Sequence, residues 1–292
     1  IASAYVLKNV TLPASLNYFG ENTFYRCYEL GVGNLQVAEG NGHFMMKDNG
    51  KWLSNLGGDR LYWANFSKLG ASVVIGEEIT YLHSGLFCDD NLLESITINC
   101  DLEFLGVGTF YNTPELNSVA LNGSIEYIFG FTDVFNDDFY TWLTPLEKEQ
   151  IMYYGAFESC VNLSEVLFVE GEELLTIGDK AFYRCTALKS IKLPERTLSL
   201  GENCFDGSGL SDIDFGGVRT IAANAFGNTK SLSVLTIPAS VTEIGKYAFR
   251  SSAISEIKFA PRATGKEETP FEPLKLGESV FTYCASLKKA TF

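Results

Sequence analysis

Seven cysteines and two histidines hold most of the nucleophilic and metal-ligating potential of this chain. The thiols are Cys27, Cys88, Cys100, Cys160, Cys185, Cys204 and Cys284, and the imidazoles are His43 and His83. No two cysteines form a C-x-x-C pair, the spacing that a zinc ribbon or a thioredoxin-like redox centre needs. An odd number of cysteines in a long chain does not describe a disulfide framework either. His83 and Cys88 are close in sequence, but nothing beside them supplies the orienting group of a nucleophilic dyad. Surface or turn positions are expected for both histidines. Asp133, Asn136, Asp137 and Asp138 offer oxygen donors, yet their spacing misses both the EF-hand loop and the glycine-rich calcium repeat. A solvated acidic loop is the expectation there. No glycine-rich phosphate cradle follows a strand. The sequence thus points to no catalytic residue, no metal and no cofactor.

The balance of charge narrows the partners. The formal net charge is −14, with a pI near 4.6. A negative surface repels the phosphates of nucleic acid and does not adsorb to anionic lipid. No apolar run approaches the ~20 residues of a membrane helix, and no basic-then-apolar leader opens the chain. Hydrophobic residues make up 46% of the 292, ample for a core and long for one compact globule.

What positions these residues is a repeat. In IGDKAFYRCTALKSIKLP, residues 177–194, the apolar gaps start wide and end at two. Neither one helix nor one strand has that pattern. Aligned on Phe182, the same companions recur: Cys three residues on, then apolar residues six, nine and eleven residues on. Phe157 has Cys160, Leu163, Val166 and Phe168; Phe87, Phe110, Phe226 and Phe281 repeat the register; Phe205 and Phe249 repeat it with one residue deleted. Phe24 is a weaker copy. An apolar residue stands five before each Phe, and a glycine often follows it, which suggests a conformational use at a turn. From Phe157 to Phe249 the spacing is 21 to 25 residues, a solenoid period. Each rung is a turn or short helix around the Phe, then a short strand with alternate residues inward. Stacked rungs bury the continuous core that one rung cannot. The cysteines fall into this scheme, because Cys27, Cys160, Cys185 and Cys284 share one rung position with Asp90, Thr113, Ser208 and Thr229. A small residue packing or hydrogen-bonding a buried turn is expected, with Cys160 and Cys185 close but reduced.

Three stretches break the period. Asn41–Trp63 carries Asp48-Asn49-Gly50 and Gly57-Gly58-Asp59 between apolar runs, the pattern of a small β-meander inserted at about 41–63. Residues 122–152 hold an irregular rung around Ile128 and Phe135, and 261–273 read as an exposed loop. Within these bounds 1–292 is one solenoid of parallel short strands, mostly β with some α, in roughly ten to twelve rungs.

IGDKAFYRCTALKSIKLP and IPASVTEIGKYAF resemble the BspA-like leucine-rich repeats, whose unit reads I-G-x-x-A-F-x-x-C-x-x-L-x-x-I-x-L-P. The likeness runs from Leu7 to Phe292. It implies a secreted or surface-anchored protein that adheres to host proteins or other cells. It also implies that residues between the inward strand positions line the concave side. The candidate binding face is therefore Glu165, Ser190, Lys192, Asp212, Asp214, Thr236, Glu256 and Lys258. Trp52, Trp63 and Trp142, with neighbouring tyrosines, are candidate exposed anchors, since exposed aromatics often carry interfaces; alternatively they fold down as a local cover. A non-enzymatic extracellular adhesion protein with protein partners is expected, with a glycan-binding module or a structural spacer as alternatives. The chain starts and stops inside repeats, so an internal or mature fragment with loosely ordered or covered terminal rungs is expected.

Overall fold

The rung centred on Phe182 shows how the period becomes structure. Leu175–Ile177 forms a strand, Gly178–Cys185 turns the chain with Phe182 pointing inward, and Ser190–Lys192 forms a second strand. Repetition builds a parallel β-solenoid of about nine turns with very little helix. The computed structural model describes residues 4–20, 23–24, 27–128, 154–169, 175–261 and 273–291. Helix among the described residues is confined to two single turns, Tyr28–Gly31 and Phe66–Leu69.

Two lines of strands run along the molecule. The first comprises Ser72–Ile75, Ser95–Ile98, Ser118–Leu121 and Glu165–Phe168, then Ser190–Lys192 with Asp212–Asp214, then Val234–Ile237, Glu256–Phe259 and Lys289–Thr291. Pairing is in register, with Val119 between Ile96 and Val166. The second line comprises Leu102–Leu105, Ile125–Ile128, Leu175–Ile177, Thr197–Leu200, Thr220–Ile221, Glu243–Ile244 and Lys275–Leu276.

A third ladder crosses the turns. Each rung Phe from Phe87 to Phe249 donates its N–H to the next rung, as Phe157 does to the Ala181 carbonyl and Phe182 to that of Cys204. The residues flanking Phe182, Lys180 and Arg184, take φ of 54° and 58°. Non-glycine side chains rarely adopt that left-handed region, and here the inter-rung bonds hold it. The recurring glycine has a different task from the one its place at a turn suggests. Gly201, Gly245 and Gly277 are not left-handed. A Cβ on any of them would meet backbone of the preceding rung at 2.5–2.7 Å, so close stacking, not φ, excludes side chains.

Inside, seven phenylalanines from Phe87 to Phe249 are fully buried. Their rings and that of Phe281 form one parallel stack, with centroids 5.0–5.6 Å apart and planes within 2–15°. Offset stacking of this kind is favourable beyond simple area burial.

The insert is the expected meander. Phe44–Lys47, Trp52–Asn55 and Arg60–Ala64 pair antiparallel, and Asp48, Asn49 and Gly50 all have positive φ in the connecting turn. Its last strand then joins the solenoid by pairing parallel with Tyr81–Leu82. Ile128 closes a regular strand; Phe135 and the acidic stretch 133–138 lie outside the described residues, as does 262–272 of the expected loop.

Candidate functional site

At four copies the shared cysteine position ties one rung to another by a hydrogen bond, whereas Thr229 donates within its own rung to the Phe226 carbonyl at 2.8 Å. Thr113 donates to the carbonyl of Phe87, Cys160 to that of Phe110, Cys185 to that of Phe157 and Cys284 to that of Phe249, at 2.8–3.1 Å. Each ties a turn to the rung before it. Burial pushes Cys160 up to about 12 and Cys185 well above the usual thiol range. Protonated thiols suit donation and disfavour nucleophilic attack. None of the seven cysteines forms a disulfide. Asp90 stands in the same position at the first stacked rung. A carboxylate has no hydrogen to donate, and it instead accepts from the N–H groups of Leu92 and Leu93 at 2.8 and 3.3 Å. Desolvation raises it to about 6 despite those two bonds.

Where the first rung, the meander and the Phe87 rung meet, a cavity of about 40 Å³ is lined by Phe19, Cys27, Tyr62, Trp63, His83 and Cys88 among others. That is room for one or two waters. The Cys88 Sγ donates to the Asp89 carboxylate at 3.2 Å, and the His83 Nδ1 lies 3.0 Å from the Ser84 carbonyl. Of the expected surface or turn position His83 takes the turn, where its carbonyl accepts from the Leu86 N–H at 3.2 Å, and not the surface: it is 3% exposed and packs edge-on against Phe19, Tyr62 and Tyr81. His43 is exposed.

The tryptophans expected as exposed anchors are core residues where they are described. Trp52 is 6% exposed and meets Phe87 edge-on at 6.0 Å, so it closes the end of the Phe stack. Trp63, at 7%, belongs to a second cluster with Phe19, Phe44, Leu30 and Leu53. The cover reading holds for both, because the meander folds down over the solenoid end. Trp142 lies outside the described residues.

The predicted strand face is where the period placed it. Glu165, Ser190, Lys192, Asp212, Asp214, Thr236 and Lys258 are exposed on the first line of strands, and Glu256 is half-buried there. Register aligns Ser190 with Asp212, Lys192 with Asp214 and Thr236 with Lys258. Lys289 and Lys258 sit 2.8 and 3.6 Å from the Glu256 carboxylate and, with Lys289 first, hold it below its usual range. Toward the N-terminus the same face turns neutral, with Ser72, Ser95 and Ser118 beside Val74, Thr97 and Ala120.

A second surface escaped the repeat alignment. Phe104 and Tyr127 are in register on the opposite strand line, and Tyr81, on the short strand that pairs with the meander, packs against Phe104; each is 23 residues from the next. In later rungs that position holds Thr176, Ser199, Thr220, Glu243 and Lys275. The equal spacing is the signal that marks the row.

No curated protein matches the chain. Among solved structures it is similar to a leucine-rich repeat protein from Eubacterium ventriosum ATCC 27560, at 19% identity and a TM-score of 0.62, over 91% of this chain and 62% of that one. It therefore spans less than two thirds of that protein, and the likeness is one of fold. A leucine rich cell surface protein from Faecalibacterium prausnitzii A2-165 gives 18% identity and a TM-score of 0.44, over 85% of this chain and 52% of that one. The pneumococcal vaccine antigen PcpA gives 16% and 0.39, over 98% and 51%. The model of the BspA type leucine rich repeat region matches six copies, over residues 2–37, 63–138 and 150–288. With well over half of its length so matched and the stacked rungs behind that match, this chain belongs to the BspA type leucine-rich repeat family.

Proposed function

We propose that the chain is the binding region of an extracellular surface protein and recognises protein partners, without catalysis, through the outward side of its first strand line. The observation that carries this is the continuity of that face. Strands in groups of four, two and three follow one another along it. At about 4.8 Å per rung and 3.3 Å per residue it covers roughly 40 by 13 Å, near 500 Å². One side of a standard interface needs about 800 Å², so the face with its rims is of the right order. Charged and hydroxyl side chains line it together with exposed Val74, Leu167 and Val234, a mixed surface that fits a broad protein contact better than a small ligand. Family membership is in accord, since these repeats are generally non-enzymatic. The outward positions of this face among the described residues carry no aromatic side chain, which disfavours sugar stacking there.

A binding screen against extracellular-matrix proteins and a glycan array tests the proposal. The hit should be a protein, and K192E/D212K/D214K should weaken it at least tenfold while the fold stays intact. Unchanged binding by that triple variant, or a hit confined to glycans, would overturn it.

A further inference from the structure

The outward row on the second strand line combines rings and carboxylates in a way that the first face does not. Tyr81 lies 6.0 Å from Phe104, edge to face, and also 6.0 Å from Tyr62 of the meander. Tyr127 is in register with Phe104 on the next strand. All four rings are half-buried. Beside Phe104 and Tyr127 stand Glu103, exposed, and Glu126, half-buried, each adjacent to the ring residue on its strand. In both strands the two middle residues, carboxylate and ring, reach solvent between buried ends. The row already holds one cation of the chain itself: the Arg60 guanidinium sits 4.2 Å from the centre of the Tyr81 ring.

We propose that Tyr81, Phe104 and Tyr127, with Glu103 and Glu126, form a docking strip for an arginine-rich peptide segment of a partner protein. Aromatic faces attract guanidinium groups, and carboxylates pair with them through two parallel hydrogen bonds. The net charge of −14 favours approach of a basic segment and opposes an acidic one. Scale agrees as well. Three rungs span about 10 Å, and alternate residues of an extended peptide lie about 7 Å apart, so two basic side chains would meet the three rings. Arginine should be preferred to lysine, because its flat guanidinium can stack on a ring while it pairs with a carboxylate. The strip lies on the opposite strand line from the face assigned above, and neither reading depends on the other.

The test is fluorescence anisotropy of the whole chain with labelled Arg-Gly-Arg-Gly-Arg, set against the same peptide with Gln or Lys for Arg, at an ionic strength of about 0.05 M. E103Q/E126Q should lose about tenfold in affinity, and F104L should lose affinity with a melting curve like that of the wild type. D212N/D214N removes the same charge from the other face and should change affinity less than twofold. Equal losses in the two double variants would reduce the effect to net charge and overturn the strip. Gln or Lys peptides binding as tightly as the Arg peptide would overturn it too, as would a row that captures a neutral oligosaccharide and no peptide.

Discussion

Phe226 and Phe19 belong to two kinds of core. Phe226 is one of a series, with Phe205 at 5.4 Å on one side and Phe249 at 5.3 Å on the other, both nearly parallel to it. Among the described residues Phe19 has four aromatic neighbours, Phe24, Phe44, Tyr62 and His83, at 5.4–6.0 Å and all steeply inclined. The first arrangement is a solution found once and reused, since each rung sees the same neighbours above and below. The second is assembled once from four separate stretches, and no part of it recurs. Repetition therefore fixes ring orientation by symmetry, whereas the junction fixes it by mutual packing of unlike parts.

The largest test of the comparison is a mid-stack truncation. F182A leaves an empty slot between Phe157 and Phe205, whose backbones are tied to it by the turn ladder and so cannot collapse inward. The expected cost is about 3–5 kcal/mol, read from urea melts. A loss under about 1 kcal/mol would mean that the stack does not act as one core.

W52A probes the boundary between the two cores. Trp52 closes the stack against Phe87 from within the meander, so its removal should cost about 3 kcal/mol, but locally. Hydrogen exchange should speed up in Phe44–Ala64 and remain slow in Ser190–Lys192, because stacked rungs couple mainly to their neighbours. Uniform acceleration along the chain would show that junction and array unfold together.

These two residues also show what the sequence made legible. Phe182 could be placed because its register recurs, and each copy confirms the others. Trp52, Trp63 and His83 could not, because the meander occurs once and its direction of folding leaves no period. The glycines were legible as positions but not as causes: a left-handed turn and a close backbone approach select the same residue, and only the distance to the preceding rung separates them. The outward positions of the strand face followed from alternation, and their reading as a binding face from the family resemblance. The Tyr81 row was present in its 23-residue spacing, yet it spans only rungs next to the two irregular stretches, where the alignment is weakest.

Asp90 marks the same boundary electrostatically. Its carboxyl is raised to about 6 by desolvation, so the folded chain keeps this proton to a higher pH than the unfolded chain, where it leaves near 4. Between those values the folded state binds more protons, and stability from this group falls as pH rises. D90N keeps an oxygen to accept from Leu92 and Leu93 and has no charge to bury. It should match the wild type below about pH 4 and exceed it above pH 6, by on the order of 1–2 kcal/mol. Urea melts at several pH values would show the gap open between 4 and 6. A gap that is constant with pH would remove desolvation of Asp90 as its source.

The smallest effect tests whether the cysteine position is a repeated device in its own right. Cys185 donates to the Phe157 carbonyl, which also accepts from the Cys160 N–H at 3.1 Å. C185A therefore removes one donor without stranding the acceptor, and the cost should be only about 1 kcal/mol. C185T restores a donor of similar size, and Thr113 already makes the same bond to Phe87 two rungs earlier in the stack's order of Phe110, Phe157 and Phe182. It should lie within about 0.5 kcal/mol of the wild type. If alanine and threonine were equally destabilising, the position would select for the thiol's shape alone. If both were neutral, the bond from rung to rung would contribute nothing measurable, and the Phe stack with its backbone ladders would hold the turns unaided.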